Sequence, residues 1–92
     1  MAFNKKQFVV LADLGFDGMY IDEYGRLIAD FENEFKAFTL ICDREEEGIR
    51  AWVVKHGTPK CITYRHRGGN SAQYRFRSVR QAAELAISNP HY

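Results

Sequence analysis

The sequence predicts an α+β domain: an antiparallel sheet of about four strands, arranged as a meander, with an N-terminal and a C-terminal helix packed on one face. Bulky residues alternate with arginines in residues 61–67 and 72–77, and a further alternation runs through residues 35–43, which indicates strands. Apolar residues at helical spacing near both ends of the chain predict the helices. With 92 residues and 46% hydrophobic content, residues 1–92 are expected to form a single domain.

The N-terminal helix is predicted from residues 8–14, whose apolar side chains recur at helical spacing. Asn4 precedes this segment and has the short polar side chain that caps the start of a helix. Gly15 follows it, where a left-handed residue commonly ends a helix. Residues 16–18 are then expected to form a turn.

Residues 19–34 fit two structures: a hairpin that turns near Tyr24 and Gly25, or a helix. We favour a hairpin or a single strand, because a glycine in a helix interior costs ~1 kcal/mol. A strand is expected over residues 35–43, followed by a solvated acidic hairpin loop over residues 44–48. One face of that strand consists of Phe38, Leu40 and Cys42.

The next three strands are predicted at residues 49–56, 61–67 and 72–77. A register that keeps the apolar residues on one face sets Arg65 opposite Arg75 and Trp52 beside Tyr64. The face expected to meet the helices consists of Trp52, Val54, Ile62, Tyr64, Tyr74 and Phe76. The other face is expected to carry Lys55, Arg65, Arg67, Arg75 and Arg77 around Ala51, Val53 and Thr63.

The C-terminal helix is predicted to begin after Ser78, a good capping residue with Gln81 three positions later. Asn89 and Pro90 are expected to end it, because the residue before a proline is disfavoured in a helix. Its buried stripe is predicted to consist of Val79, Ala82, Ala83 and Ala86.

Charge is distributed unevenly along the chain. Residues 48–83 hold eight Lys or Arg and no Asp or Glu, whereas residues 1–47 hold eleven acids and five bases. Like charges directly opposite each other cost stability, so Arg65 against Arg75 favours an anionic partner that covers both. Arginine also forms bidentate pairs with phosphate. The predicted partner-binding or nucleic-acid-binding residues are Lys55, Lys60, Arg65, Arg67, Arg75, Arg77 and Arg80.

Two weaker hypotheses concern the aromatic and the acidic residues. Tyr64, Tyr74 and Phe76 could stack on bases, although the predicted register favours them as core residues. The acids around residues 22–34 and 45–47 could mimic phosphate and dock on a basic protein groove. A solvated acidic surface is the simpler interpretation of these acids.

Nothing in the sequence indicates an enzyme or a cofactor. The chain has no glycine-rich phosphate loop, no metalloprotease His-Glu pair and no CxxC pair. His56, Cys61 and His66 have a spacing that matches no zinc motif, so no metal is expected. Cys42 and Cys61 are expected to be small buried side chains. We expect a cytoplasmic protein, with reduced thiols, no signal peptide and no membrane span.

As a whole, the chain resembles the small phage-encoded anti-CRISPR proteins that act on the type I-F (Csy) surveillance complex. The resemblance rests on the length, the split charge, the lack of an enzyme motif and the opening MAFNKKQFVVLADLGFDGMY. It implies a stoichiometric inhibitor in the bacterial host cytoplasm, with no small-molecule substrate. Such an inhibitor would bind backbone protein subunits of the guide-RNA-loaded complex, with the guide RNA as a further contact, and would block target DNA hybridisation.

The alternative is a small RNA-binding module. Helix, antiparallel strands and helix is also the element order of double-stranded RNA-binding domains. Against this, the C-terminal helix offers only Arg80 where such domains have a lysine cluster, and the first half of the chain is acidic. A DNA-binding phage regulator ranks below both, because no helix-turn-helix is recognisable.

Overall fold

The fold is α+β, as the sequence predicts: an antiparallel sheet in meander order with an N-terminal and a C-terminal helix. The computed structural model describes residues 3–46, 48–55, 58–61, 64–65, 72–73 and 75–89. The elements are α1 (Lys5–Asp13), β1 (Phe16–Ile21), β2 (Leu27–Glu32), β3 (Ala37–Glu45), β4 (Gly48–Lys55), β5 (Thr58–Cys61), β6 (Tyr64–Arg65), β7 (Ala72–Gln73), β8 (Arg75–Phe76) and α2 (Val79–Ser88).

The main sheet has the order β1-β2-β3-β4-β5, and β8 also pairs with β4. Both β5 and β8 lie along the same side of β4, since its other side is occupied by β3. The second half of β4 pairs with β5, and its first half pairs with β8 through Ile49 and Arg50. A separate two-stranded ladder joins β6 to β7.

The helices cover one face of the sheet, which we call the inner face, and the opposite face is the outer face. Phe16, Phe31 and Phe38 form an aromatic row across the first three strands of the inner face. Their ring centroids cluster 5.1 to 5.9 Å apart. Such aromatic pairs add to the free energy gained by burial. The predicted buried face of β3 is confirmed. The other buried strand residues of the inner face are Leu27, Ala29, Leu40, Cys42, Ile49, Ala51, Val53 and Phe76.

The N-terminal helix begins and ends where its sequence predicts. The Asn4 side chain accepts a hydrogen bond from the Lys6 N–H, and Gln7 closes a capping box. Gly15 follows the helix with φ of +101°. The expected turn at residues 16–18 is wrong, because Phe16 opens β1 and pairs with Phe31 in the aromatic row.

The segment over residues 19–34 is a hairpin, as favoured. Gly25 has φ of +81° in the turn between β1 and β2. Burial alone would raise the pKa of Asp22, but hydrogen bonds from the Arg26 and Tyr24 backbone and the Arg26 guanidinium hold that pKa below its usual value. The turn is therefore built around a single carboxylate.

Lys36 connects the turn between β2 and β3 to the end of α2. The Asn33 side chain accepts hydrogen bonds from the N–H groups of Phe35 and Lys36, which holds this turn. Burial lowers the pKa of Lys36, and the nearby charge of Lys55 lowers it further. A cation at this position complements the helix dipole and satisfies terminal carbonyls. Lys36 Nζ donates to the carbonyls of Ala86, Ile87 and Asn89 at 3.4, 2.6 and 2.6 Å.

The predicted faces of β4 are wrong and must be inverted. Ala51 and Val53 are buried on the inner face, opposite Cys42 and Leu40, whereas Trp52 belongs to the outer face. The physical reason is register: β3 sets Ala51 opposite Cys42 and Val53 opposite Leu40. Trp52 pairs with Cys61 of β5 and does not lie beside Tyr64 as predicted. Val54 moves to the outer face together with Trp52, and Lys55 moves to the inner face.

The predicted pairing of Arg65 with Arg75 is also wrong. Arg65 pairs with Ala72 in the β6–β7 ladder, and Arg75 pairs with Arg50 of β4. Phe76, opposite Ile49, is buried on the inner face as predicted. The other predicted partners on this face, Ile62 and Tyr74, lie outside the described residues.

The C-terminal helix confirms its predicted cap and stripe. The Ser78 hydroxyl accepts a hydrogen bond from the Gln81 N–H, and the Gln81 side chain accepts one from the Arg77 N–H. Small residues on this stripe allow α2 to approach the sheet closely. Val79, Ala82, Ala83 and Ala86 are all buried, and α2 ends at Ser88.

The approach of β8 to β4 yields a prediction at Gly48. Its φ is +99°, and a Cβ there would lie 2.6 Å from the Phe76 carbonyl oxygen. We expect Gly48→Ala to lower the free energy of unfolding by ~3 kcal/mol or more through strain and overlap. Urea unfolding measures this loss.

Gly25→Ala is the matched control. Gly25 has a similar φ of +81°, but a Cβ there would meet nothing within 4 Å. We expect this variant to lose only ~1 kcal/mol from the backbone strain. Equal losses in the two variants would contradict the placement of β8 against β4.

Candidate functional site

The outer face carries three rows of side chains that run across the strands. The paired residues Tyr20, Ile28, Ile41 and Trp52 form a central apolar row. At one end of the strands lies an acidic row, which consists of Asp17, Asp30, Thr39 and Val54. At the other end lies an arginine row, which consists of Asp43, Arg50 and Arg75. Each row follows from the register of the sheet, because directly paired residues share a face.

The apolar row is unusual for a sheet face without a helix. Tyr20 is 56% exposed, and Ile41 and Trp52 are half-buried. Ile28, between them, is only 8% exposed. Antiparallel sheets commonly bury one face and present polar residues on the other. A row of aromatic and aliphatic residues on the second face is instead typical of a surface that contacts another macromolecule.

The arginine row contains its own counter-ion. Arg50 and Arg75 are directly paired, an arrangement that costs stability when no anion is present. Glu45 bridges them: its Oε1 lies 2.7 Å from Arg50 Nε, and its Oε2 lies 3.1 Å from Arg75 Nη2. The sequence predicts that an anionic partner covers Arg75. In the structure, Glu45 of the same chain supplies that anion. Glu45 is the last residue of β3 rather than part of a solvated loop.

The acidic row has no such compensation in the part of the chain that the structure describes. Asp17 and Asp30 are directly paired on β1 and β2, and Glu32 continues the same face of β2. None of the three forms an ion pair with a described residue. Asp30 Oδ1 accepts a hydrogen bond of 2.7 Å from the Thr39 hydroxyl. These residues line a shallow hollow of ≈ 530 Å³.

The structure does not bring the predicted basic residues together on one face. Lys55 lies at the far end of β4 from Arg50 and on the inner face, whereas Arg75 lies on the outer face. Arg77 and Arg80 are exposed on either side of the Ser78 cap, at the start of α2. The backbones of Lys60 and Arg65 lie in β5 and β6, and Arg67 lies outside the described residues.

The described residues show neither a reactive thiol nor a metal-binding group. Burial raises the pKa of the Cys42 thiol to about 12, so the reactive thiolate is disfavoured. The described residues contain no group of three or more His, Cys, Asp or Glu that could hold a metal ion. His56 and His66 lie outside the described residues. Neither described helix is long and apolar enough to cross a membrane.

Sequence reasoning missed the two residues that define the ends of the outer face. Phe-Asp-Gly is typical turn composition and predicts a turn at Asp17, whereas the structure places Asp17 in β1. Three consecutive glutamates predict a solvated loop at Glu45, whereas Glu45 is the last residue of β3. The available signal for Glu45 was its distance from Gly48, which suits a hairpin connection of two residues.

The bridge at Glu45 yields a second prediction. Glu45→Gln removes the carboxylate that contacts both guanidinium groups, so we expect it to lower the free energy of unfolding by ~1 kcal/mol. In an Arg75→Met background the same change should cost less, because only Arg50 then needs the carboxylate. Thermal unfolding of the four proteins measures this coupling. Strictly additive losses would show that Glu45 does not bridge the pair.

Comparison with known proteins finds no matching family model, no matching curated protein and no matching solved structure.

Proposed function

We propose that this chain is a non-catalytic binding protein that inhibits the guide-RNA-loaded type I-F (Csy) surveillance complex of bacterial CRISPR defence. It acts stoichiometrically in the host cytoplasm, binding backbone protein subunits and the guide RNA, and blocks hybridisation of target DNA. The whole-chain resemblance to phage-encoded anti-CRISPR proteins supports this proposal. No cofactor and no small-molecule substrate take part.

The observation that carries the proposal is the apolar row on the outer face. The helices already bury the inner face of the sheet, so Tyr20, Ile41 and Trp52 are not needed to enclose that core. Partly exposed apolar side chains flanked by charged rows have the composition of a binding surface, with an apolar centre and a polar rim. Such a surface supports inhibition by occupancy rather than by catalysis.

The basic residues have a separate role in the proposal. Arg77 and Arg80 project from the start of α2, where a helix N-terminus also favours anions. We propose that they contact phosphates of the guide RNA. Arg75 can do so only in competition with Glu45. Arg80 competes in the same way with Glu84, whose Oε1 lies 3.6 Å from Arg80 Nη1. Lys55, Lys60, Arg65 and Arg67 remain proposed partner contacts.

A small RNA-binding module is the second candidate. Tyr20 and Trp52 lie on the outer face, the position at which aromatic residues stack on bases in some sheet-based RNA-binding modules. The adjacent acids Asp17 and Asp30 disfavour this candidate, because they would repel the phosphate backbone. We therefore rank it second.

Size-exclusion chromatography with purified type I-F complex, loaded with guide RNA, tests the proposed function. Free guide RNA and free duplex DNA are run beside it. We expect the chain to co-elute with the loaded complex and with neither free nucleic acid. Co-elution with free RNA alone would replace the inhibitor by the RNA-binding module.

A pair of charge-reversed variants tests the role of the arginines. Arg77→Glu with Arg80→Glu should abolish co-elution, because repulsion replaces two phosphate contacts. Lys5→Glu with Lys6→Glu is the matched control, since both lysines are exposed on α1 and the change in net charge is the same. Equal loss of co-elution in both variants would show that net charge, and not these arginines, decides binding.

A further inference from the structure

The charge balance of the outer face is opposite to that expected from the sequence. The two bases of its arginine row, Arg50 and Arg75, are both paired with Glu45. The acidic end keeps three carboxylates without a described ion pair, which belong to Asp17, Asp30 and Glu32. In its described residues, the outer face is therefore an acidic surface beside an apolar row.

The pairing of Asp17 with Asp30 is itself unfavourable. Like charges directly opposite each other on neighbouring strands destabilise a sheet. Gly18 follows Asp17 at a β-bulge, and a Cβ there would lie 2.9 Å from Asp30 Oδ2, so the Asp30 carboxylate lies against the β1 backbone. A cation placed over the two carboxylates would relieve their repulsion.

We propose that the outer face docks on a basic protein surface. Lysine or arginine side chains of the partner meet Asp17, Asp30 and Glu32, while an apolar patch of the partner covers Tyr20 and Trp52. The acids then occupy positions that nucleic-acid phosphates would take on such a surface. This inference rests on the proposed function, because it takes the partner to be a protein subunit of the loaded complex. The start of α2 and the outer face are then two separate contacts with that complex.

Charge complementarity favours a basic protein over the other occupants. A nucleic acid would bring its phosphates against the carboxylates of the acidic row, which form no ion pair with a described residue, and this contact is repulsive. A second copy of the chain would offer the arginine row, whose described guanidinium groups already carry Glu45. A basic protein supplies both the cations and the apolar surface that the rows require.

Heteronuclear NMR of the ¹⁵N-labelled chain with a ten-residue arginine peptide tests the inference without the complex. We expect shifts confined to the outer-face strands and to the Trp52 indole. Asp17→Asn with Asp30→Asn should weaken binding about tenfold, because two attractive charges are removed without a change of shape. Glu23→Gln with Glu34→Gln is the matched control, since both are exposed turn residues, and it should bind like the wild type.

The same aspartate variant should be more stable than the wild type. Removal of the cross-strand repulsion should raise the thermal midpoint by about 2–4 °C, while the asparagine at position 30 can still accept the Thr39 hydrogen bond. A lower midpoint would overturn the inference, because the pair would then stabilise the fold and need no partner. Shifts on the outer face with decauridine RNA instead of the peptide would also overturn it, as would a sedimenting dimer that protects this face.

Co-elution with the loaded complex separates the two proposals. Binding by the wild type, with loss in the aspartate variant and retention in the glutamate control, supports the inference. Equal binding by all three overturns it and leaves the proposed function in place. If the wild type fails to bind, the proposed function fails, and the peptide experiment alone decides whether the outer face recognises basic protein.

Discussion

The pairing of Glu45 with Gly48 is the constraint on which the rest of the sheet depends. Two residues separate Glu45 from Gly48 in the sequence. Their pairing fixes which side chains of β4 point to the inner face and which point to the outer face. A slip of one residue would move Val53 and its inner-face neighbours into solvent and bring Trp52 beneath the helices. Gly48 allows this turn through its positive φ, and the absence of a side chain there lets the Phe76 backbone approach.

The same pairing decides what the arginines do. Because Glu45 ends β3 beside β4 and β8, its carboxylate reaches both Arg50 and Arg75. Arginines on paired strands therefore need not indicate a nucleic-acid site. In the described part of the chain, the uncompensated outer-face charge is instead acidic and lies at the opposite end of the strands. Both ends border one apolar row, which makes the outer face a surface with an apolar centre and a directional charge pattern.

Features set by local chemistry were predictable from the sequence. Asn4 and Ser78 cap their helices through nearby N–H groups, and the α2 stripe follows helical spacing. The face of β4 was not predictable in this way, because Ala51, Trp52 and Val53 are all apolar and alternation cannot choose between them. The choice is made by distant partners in β3 and β8. Prediction of the acidic row requires the pairing of β1 with β2. The composition around Asp17 is typical of a turn, so the sequence did not indicate that pairing. The binding roles of Arg67 and the other basic residues stay predictions.

Acrylamide quenching of tryptophan emission tests whether the outer face is available to a partner. Trp52 is the one tryptophan in the chain, so its emission reports on this face alone. The structure predicts quenching in the free chain, because Trp52 is half-buried and not enclosed, and protection when the ten-residue arginine peptide is added. Emission that acrylamide cannot quench in the free chain would place Trp52 in the core and contradict both the β4 register and the binding surface built on it.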